Sequence, residues 1–218
     1  LGTDTIDLLQ LHCIPTEVLR QGDVFDWLRR AKQNGLIRHF GASVETVEEG
    51  LICLEQDGLL SLQVIFNIFR QKMLNELLPQ AKARGVGIIA RLPLASGLLS
   101  GKFTRETTFV PTDHRNYNRD GASFNVGETF AGLPFAKGIE LVEMIKDMLP
   151  GDISMAQLAL RWILDHDAVS TVIPGASSAA QVKTNADSSN LEQIPEALHK
   201  NLRNLYEEQI HTHIRGPY

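Results

Sequence analysis

Short apolar runs alternate with amphipathic segments five times along this chain of 218 residues, and no other feature of the sequence restricts its fold as strongly. Strands that alternate with helices pair in parallel, because each return to the sheet needs a crossover too long for a hairpin turn. The runs lie at residues 1–12, 37–43, 62–68, in the first half of 85–102, and at 170–173. Period two sorts their side chains by face. Leu9 and Leu11 point away from Leu8, Gln10 and His12; Ile37, His39, Gly41 and Ser43 share a face; Gln63, Ile65 and Asn67 oppose Val64, Phe66 and Ile68.

The segments between the runs carry helix signals. Val24, Trp27, Leu28 and Ala31 recur at helical spacing behind Asp23 as N-cap, with Gly35 beyond the end. Thr46 with Glu49, and Ser154 with Gln157, form capping boxes. Pro79 suits only the first turn of a helix over 77–84. Ile139, Val142 and Ile145 mark a helix over 136–149, and Pro195 starts a last one with Leu198, Leu202 and Leu205 inward. The expected class is α/β with a parallel sheet. Five βα units at roughly 30 residues each correspond to the last five of a (β/α)8 barrel, a TIM barrel truncated at its N-terminal side and followed by a C-terminal helix. With no internal repeat, low-complexity tract or linker, residues 1–218 read as one domain. Gly-x-Gly-x-x-Gly is absent from every strand-to-helix turn, which disfavours a Rossmann domain.

Composition narrows the function. A net charge of −5 leaves no footprint for nucleic acid or an anionic membrane, and the longest apolar runs are too short to span a bilayer. Two cysteines, Cys13 and Cys53, make no disulfide framework and point to a reducing cytoplasm. Gln63 and Asn67 read either as a network of side chains inside the barrel or as a hydrogen-bonding site for a flat, amide-bearing ligand. The aperiodic stretch 101–135 reads as a lid or a disordered segment, and its Lys102, Arg105, Arg115 and Arg119 as phosphate contacts or a solvated charge run. The small-residue loop Pro174 to Ser178, ahead of a helix, suits an anion.

Ile88-Ile89-Ala90-Arg91-Leu92-Pro93-Leu94-Ala95-Ser96-Gly97-Leu98-Leu99-Ser100-Gly101-Lys102 resembles the seventh-strand segment of the aldo-keto reductases, and the likeness runs from Leu1-Gly2-Thr3-Asp4 to Val172-Ile173-Pro174-Gly175-Ala176 and Asn185. It implies an oxidoreductase that reduces a small-molecule carbonyl, an aldehyde or a ketone, with a nicotinamide dinucleotide, usually NADPH. By that resemblance His12 orients the carbonyl, Ser43 and Gln63 hold the carboxamide, and Arg91 packs against the nicotinamide. Leu94, Ser96 and Leu98 line the pyrophosphate path, while Gly175, Ser177, Gln181 and Asn185 surround the adenosine. Val44 stands where the family commonly has Asn, and Gly175, Ser177 and Gln181 where many members carry cations for the 2′-phosphate, so NADH remains open beside NADPH. The family's acid Tyr, with its Asp and Lys, belongs to the first three units. Tyr117, Tyr206 and Tyr218 do not follow a strand's carboxyl end. The alternative to an enzyme is a catalytically incompetent nucleotide-binding module or a truncated remnant. The sequence carries no signal for oligomeric state.

Overall fold

In the computed structural model, which describes residues 1–151 and 153–218, the first strand, β1, spans Ile6–His12. It starts later than alternation alone implies because a local turn ties up residues 3–5. The Thr3 hydroxyl donates to the Thr5 carbonyl (2.9 Å), and the Thr5 hydroxyl donates to Gly35 O (2.9 Å). Tertiary contacts gather in two units, Leu1–Val64 with Lys72–Ile89 and Tyr218, and Ile65–Gln71 with Ala90–Pro217.

In the first unit β1 is followed by α1 (Thr16–Gln21), α2 (Asp23–Gln33), β2 (Ile37–Val44), α3 (Val47–Leu54), β3 (Leu59–Ile65, its last residue already in the second unit), α4 (Leu77–Ala83) and the start of β4 (Gly87–Arg91). The strands follow one another in the sheet in chain order, β2 pairing in parallel with β1 and with β3. Crossover helices between adjacent parallel strands produce this order. The capping box at Thr46 forms as expected, with the Thr46 hydroxyl accepting from Glu49 N–H and the Glu49 carboxylate accepting from Thr46 N–H. Pro79 sits in the first turn of α4.

Three expectations are corrected here. The N-cap of α2 is the left-handed Gly22 rather than Asp23, since α1 ends on the same glycine and leaves one residue to turn the chain. The buried residues of α2 are Phe25 and Leu28, and Trp27 is 64% exposed. Phe25 and Trp27 flank Leu28 on the helical wheel, and the helix buries the side that carries Phe25. β3 also begins and ends earlier than residues 62–68, so Asn67 is no part of its face.

The second unit takes the end of β4, then α5 (His114–Tyr117), α6 (Phe135–Lys146), α7 (Met155–Leu164), β5 (Val169–Val172), α8 (Ala179–Asp187) and α9 (Glu196–Leu205). The ladder is continued past β5 where Ile173 N–H donates to Ala90 O at 3.0 Å. α7 begins at the Ser154 capping box and buries Leu158, Ala159, Trp162 and Ile163. At its C-terminus the buried Asp165 carboxylate takes Arg161 Nε (2.7 Å), Ile194 N–H (3.0 Å) and His199 Nε2 (3.0 Å), joining α7 to the start of α9. Buried Asn67 spends its side chain on backbone, donating to Leu92 O (2.9 Å) and accepting from Phe69 N–H (3.0 Å).

The stretch 101–135 is an ordered segment, not a disordered one. Phe103, Phe109, Phe130 and Phe135 form an aromatic cluster with centroid separations of 4.9 to 6.2 Å. The Arg115 guanidinium lies 4.5 Å from the Phe109 centroid and that of Arg119 5.2 Å from Phe135. These phenylalanines follow no helical or strand period, so a search for periodicity passes over them.

The orientation of α2 can be tested by truncation. Phe25→Ala is expected to lower the unfolding free energy by about 3–5 kcal/mol, and Trp27→Gln to change it by no more than about 0.5 kcal/mol, both read from urea denaturation; the reverse order would place Trp27 in the core.

Candidate functional site

Parallel pairing in the first unit sets two rows of polar side chains on one face of the sheet. His12 pairs with Ser43 and Ser43 with Gln63; two residues earlier Gln10 pairs with Gly41 and Gly41 with Ser61. The hydrogen bonds run in one direction. Ser43 Oγ donates to Gln63 Oε1 (3.5 Å), Gln63 Nε2 to Gln10 Oε1 (3.0 Å), and Gln10 Nε2 to Ser61 Oγ (3.3 Å). Ser43 and Ser61 are buried and Gln63 half-buried, while His12 is exposed at the end of its strand. Gln63 keeps one amide hydrogen and one carbonyl lone pair unused among the described residues, the complement of a primary carboxamide. Cys13, left-handed at φ 48°, places its Sγ 4.0 Å from Ser43 Oγ. Burial, with a smaller push from Glu49, raises the Cys53 thiol to about 12, which leaves it inert.

In the second unit the turn after β4 is held under strain. Ala95, Ser96 and Gly97 all have positive φ, and so do Phe130, Ala131 and Gly132. Left-handed backbone costs about 1–2 kcal/mol for each non-glycine residue, so both runs need support. The Ser96 hydroxyl supplies it by donating to Glu128 O and accepting from Phe130 N–H, both at 3.1 Å. The buried Arg91 guanidinium pairs with the Glu128 carboxylate. From the C-terminal side Arg215 donates through Nε to Gly132 O (3.0 Å) and through its other nitrogens to Arg119 O, Leu133 O and Asp120.

Around that turn lies an open cavity of about 480 Å³ whose lining includes Leu94, Ser96, Gly175, Ser177 and Gln181, together with Lys102, His114 and Arg115. Five of the residues expected to hold a dinucleotide therefore converge within one unit, joined by cations from the segment after β4. Leu98 is fully buried and packs beside Gly138 instead of lining the cavity. Asn185 lines a neighbouring apolar cavity of about 390 Å³ between α7, β5 and α8, and its amide donates to Gly175 O at 3.4 Å. Within the loop, Gln181 Oε1 accepts from Ser177 N–H (2.6 Å) and Oγ (3.0 Å), and Ser178 caps α8. Arg115 is fixed by a bidentate pair with Asp113 (2.9 and 2.6 Å), whose carboxylate also accepts from Arg115 N–H. Periodicity gave no reason to single out Asp113 or Phe109 as the groups that aim this cation.

A family model described as the aldo/keto reductase family matches residues 1–207. The uncharacterized oxidoreductase YqkF of Bacillus subtilis is 27% identical over 97% of this chain and 63% of its own length. The NADH-specific methylglyoxal reductase of Escherichia coli is 28% identical over 88% of this chain and 56% of its own. The holo form of aldo-keto reductase AKR11C1 from Bacillus halodurans superposes with a TM-score of 0.71 at 25% identity, over 94% of this chain and 60% of that one. The chain thus spans less than two thirds of the length of the relatives it matches, and its five-stranded α/β fold aligns with part of theirs.

The Asp113–Arg115 pair sets a pH window. Hydrogen bonding from Arg115 is the main cause that holds the Asp113 carboxyl down at about 2. A depressed carboxyl stabilises the fold above its ordinary value near 3.8 and loses that contribution as pH falls towards 2. The Asp113 carboxyl carbon is therefore expected to titrate by NMR with a midpoint near 2; an ordinary carboxylate midpoint would mean that Arg115 is not anchored there.

Proposed function

The chain belongs to the aldo/keto reductase family, and from that premise we propose that the full-length protein reduces the carbonyl of a small aldehyde or ketone with NADPH or NADH. The observation that carries the cofactor reading is the convergence of Leu94, Ser96, Gly175, Ser177 and Gln181 on one cavity with Lys102 and Arg115. Neutral side chains on the loop after β5 leave the positive charge of the lining to Lys102 and Arg115, an exposed ammonium and an anchored guanidinium that suit phosphate oxygens. When bound, the nicotinamide supplies the hydride.

The residues of this chain do the positioning. In the first unit Gln63, with its unused amide hydrogen and lone pair, holds the carboxamide beside Ser43; in the second unit Arg91 is held by its pair with Glu128. Lys102 and Arg115 take the phosphates. The exposed His12 imidazole at the carboxyl end of β1 donates a hydrogen bond to the substrate oxygen, which orients it and offsets charge as an alkoxide develops. Protonating that alkoxide calls for an acid. Tyr117 lies on α5, and Tyr206 is buried at the end of α9. We therefore assign turnover to the full-length protein and dinucleotide binding to the residues described. Among the described residues no helix is long and apolar enough to cross a membrane. A cytoplasmic setting is part of the proposal, supported by Cys13 and Cys53 being thiols that are not joined in a disulfide.

Fluorescence titration of NADPH and NADH against the full-length protein tests the reading. Arg115→Ala is expected to weaken binding by about 1.5–3 kcal/mol, the range for a charged hydrogen-bond partner, and Gln63→Ala by about 1–3 kcal/mol. His12→Ala should lower kcat and leave the dissociation constant unchanged. A protein that binds neither dinucleotide would refute the proposal. For residues 1–218 alone, the expectation is no reduction of a simple aldehyde; NADPH oxidation by that purified segment would show that it holds its own acid.

A further inference from the structure

A guanidinium carries five N–H donors in a planar fork, and Arg215 commits four of them to two stretches of the segment after β4. Nε donates to Gly132 O (3.0 Å), one terminal nitrogen to Asp120 Oδ1 (2.7 Å), and the other to Arg119 O (3.0 Å) and Leu133 O (3.3 Å). The Arg215 backbone N–H also donates to Gly132 O, at 3.2 Å. The approach is close. A Cβ on Gly132 would fall 2.8 Å from Arg215 O and 3.3 Å from Arg215 N, and the φ of 85° there suits glycine as well.

Each stretch leads to the cavity around the turn after β4. Arg119 Nε donates to Arg115 O at 3.2 Å, which ties the first stretch to the residue that presents the Arg115 guanidinium. The second stretch reaches Ser96 where Phe130 N–H donates to its Oγ at 3.1 Å. Arg115 and Ser96 both line the cavity. Phe130 and Ala131 are left-handed at φ 54° and 58°, a conformation that persists only while neighbouring contacts hold it, and the carbonyls of Gly132 and Leu133 just beyond are held by Arg215. Buried Asn118 joins the same stretches by neutral bonds. Its Nδ2 donates to Thr129 Oγ1 (3.1 Å) and its Oδ1 accepts from Ser123 and Phe124 N–H (2.9 and 3.0 Å), so the stretches still meet when Arg215 is lost.

We propose that Arg215 is a positioning residue for this cavity: by holding Arg119 O and Gly132 O on one planar guanidinium it fixes the Arg115 cation relative to the turn at Ala95, Ser96 and Gly97, and so sets the affinity for the phosphates of the dinucleotide. The proposal rests on the reading of the cavity as the dinucleotide site. None of the four residues that Arg215 bonds lines the cavity, so it acts through Arg115 and the turn rather than by touching the ligand. Lysine is no substitute. An ammonium keeps the charge and the reach to Asp120, but it has no planar fork with which to hold carbonyls from both stretches at once. The requirement is for shape, not for charge alone.

The experiment is a double-mutant cycle on the full-length protein, read by fluorescence titration of NADPH. Arg215→Ala and Arg215→Lys are each expected to raise the Kd about three- to thirty-fold, the size of coupling found within one hydrogen-bonded network. The KM for NADPH should rise by a similar factor while kcat falls by about twofold or less, the pattern of a lost binding contribution. Placed on Arg115→Ala, the Arg215→Ala change should cost about twofold or less, because no cation remains to be positioned. If Arg215→Ala fails to give a cooperative thermal melt, Arg215→Lys, which keeps its charge near Asp120, carries the same comparison. Wild-type affinity in Arg215→Lys would make charge sufficient and overturn the proposal. Equal factors of loss with and without Arg115 would overturn it too, since they mark a general loosening. A wild type that binds neither NADPH nor NADH would overturn the functional reading, and this inference with it.

Discussion

Parallel register across β1, β2 and β3 is the constraint on which the polar face of the first unit depends. Because side chains alternate with period two, a slip of one residue would move His12, Ser43 and Gln63 to opposite faces and break the chain from Ser43 to Ser61. Gly41 guards that register from within. With Ser61 Oγ and Ser61 O at 2.4 and 2.6 Å from where a Cβ would stand, only glycine lets the strands keep both their pairing and the amide contact. The network rigidifies the face because each amide both donates and accepts, so the loss of one link leaves another polar group unsatisfied.

The second unit solves a different problem, that of holding strained backbone beside an open cavity. Its two left-handed runs support each other through one hydroxyl, Ser96, and one ion pair, Arg91 with Glu128. Arg215 closes the arrangement from the C-terminal segment. Strain of this kind persists where surrounding contacts over-determine it, and such places are commonly sites of function. Here it aims the backbone after β4 towards the cavity that also receives Lys102 and Arg115. The aromatic cluster of Phe103, Phe109, Phe130 and Phe135 gives the intervening segment a small core of its own, which explains why a stretch rich in Gly, Asn and Asp is ordered.

Much of this was legible from residues in order. Capping boxes at Thr46 and Ser154 and Pro79 in a first turn are local signals that need no partner, and each appears in the structure where its pattern placed it; the βα alternation appears as well, with the bounds of β1 and β3 shifted. The resemblance carried by residues 88–102 was equally local, and the family match over residues 1–207 bears it out. Trp27 and Asn67 were misread for the same reason. Whether a residue on the flank of an amphipathic stripe is buried depends on what the helix packs against, and where a strand stops depends on competing hydrogen bonds from the next turn. Neither is written in the periodicity of the segment itself.

The sequence by itself determined the class of fold, the order of its elements and the family, because apolar period, cap chemistry and a contiguous motif are properties of neighbours along the chain. Only the tertiary structure decided which side chains act together. Gln10 with Gln63 and Ser61, Ser96 with Glu128 and Phe130, and Arg115 with Phe109 are pairings set by register, by backbone strain and by packing. Those forces bring residues together across separations that no local pattern encodes.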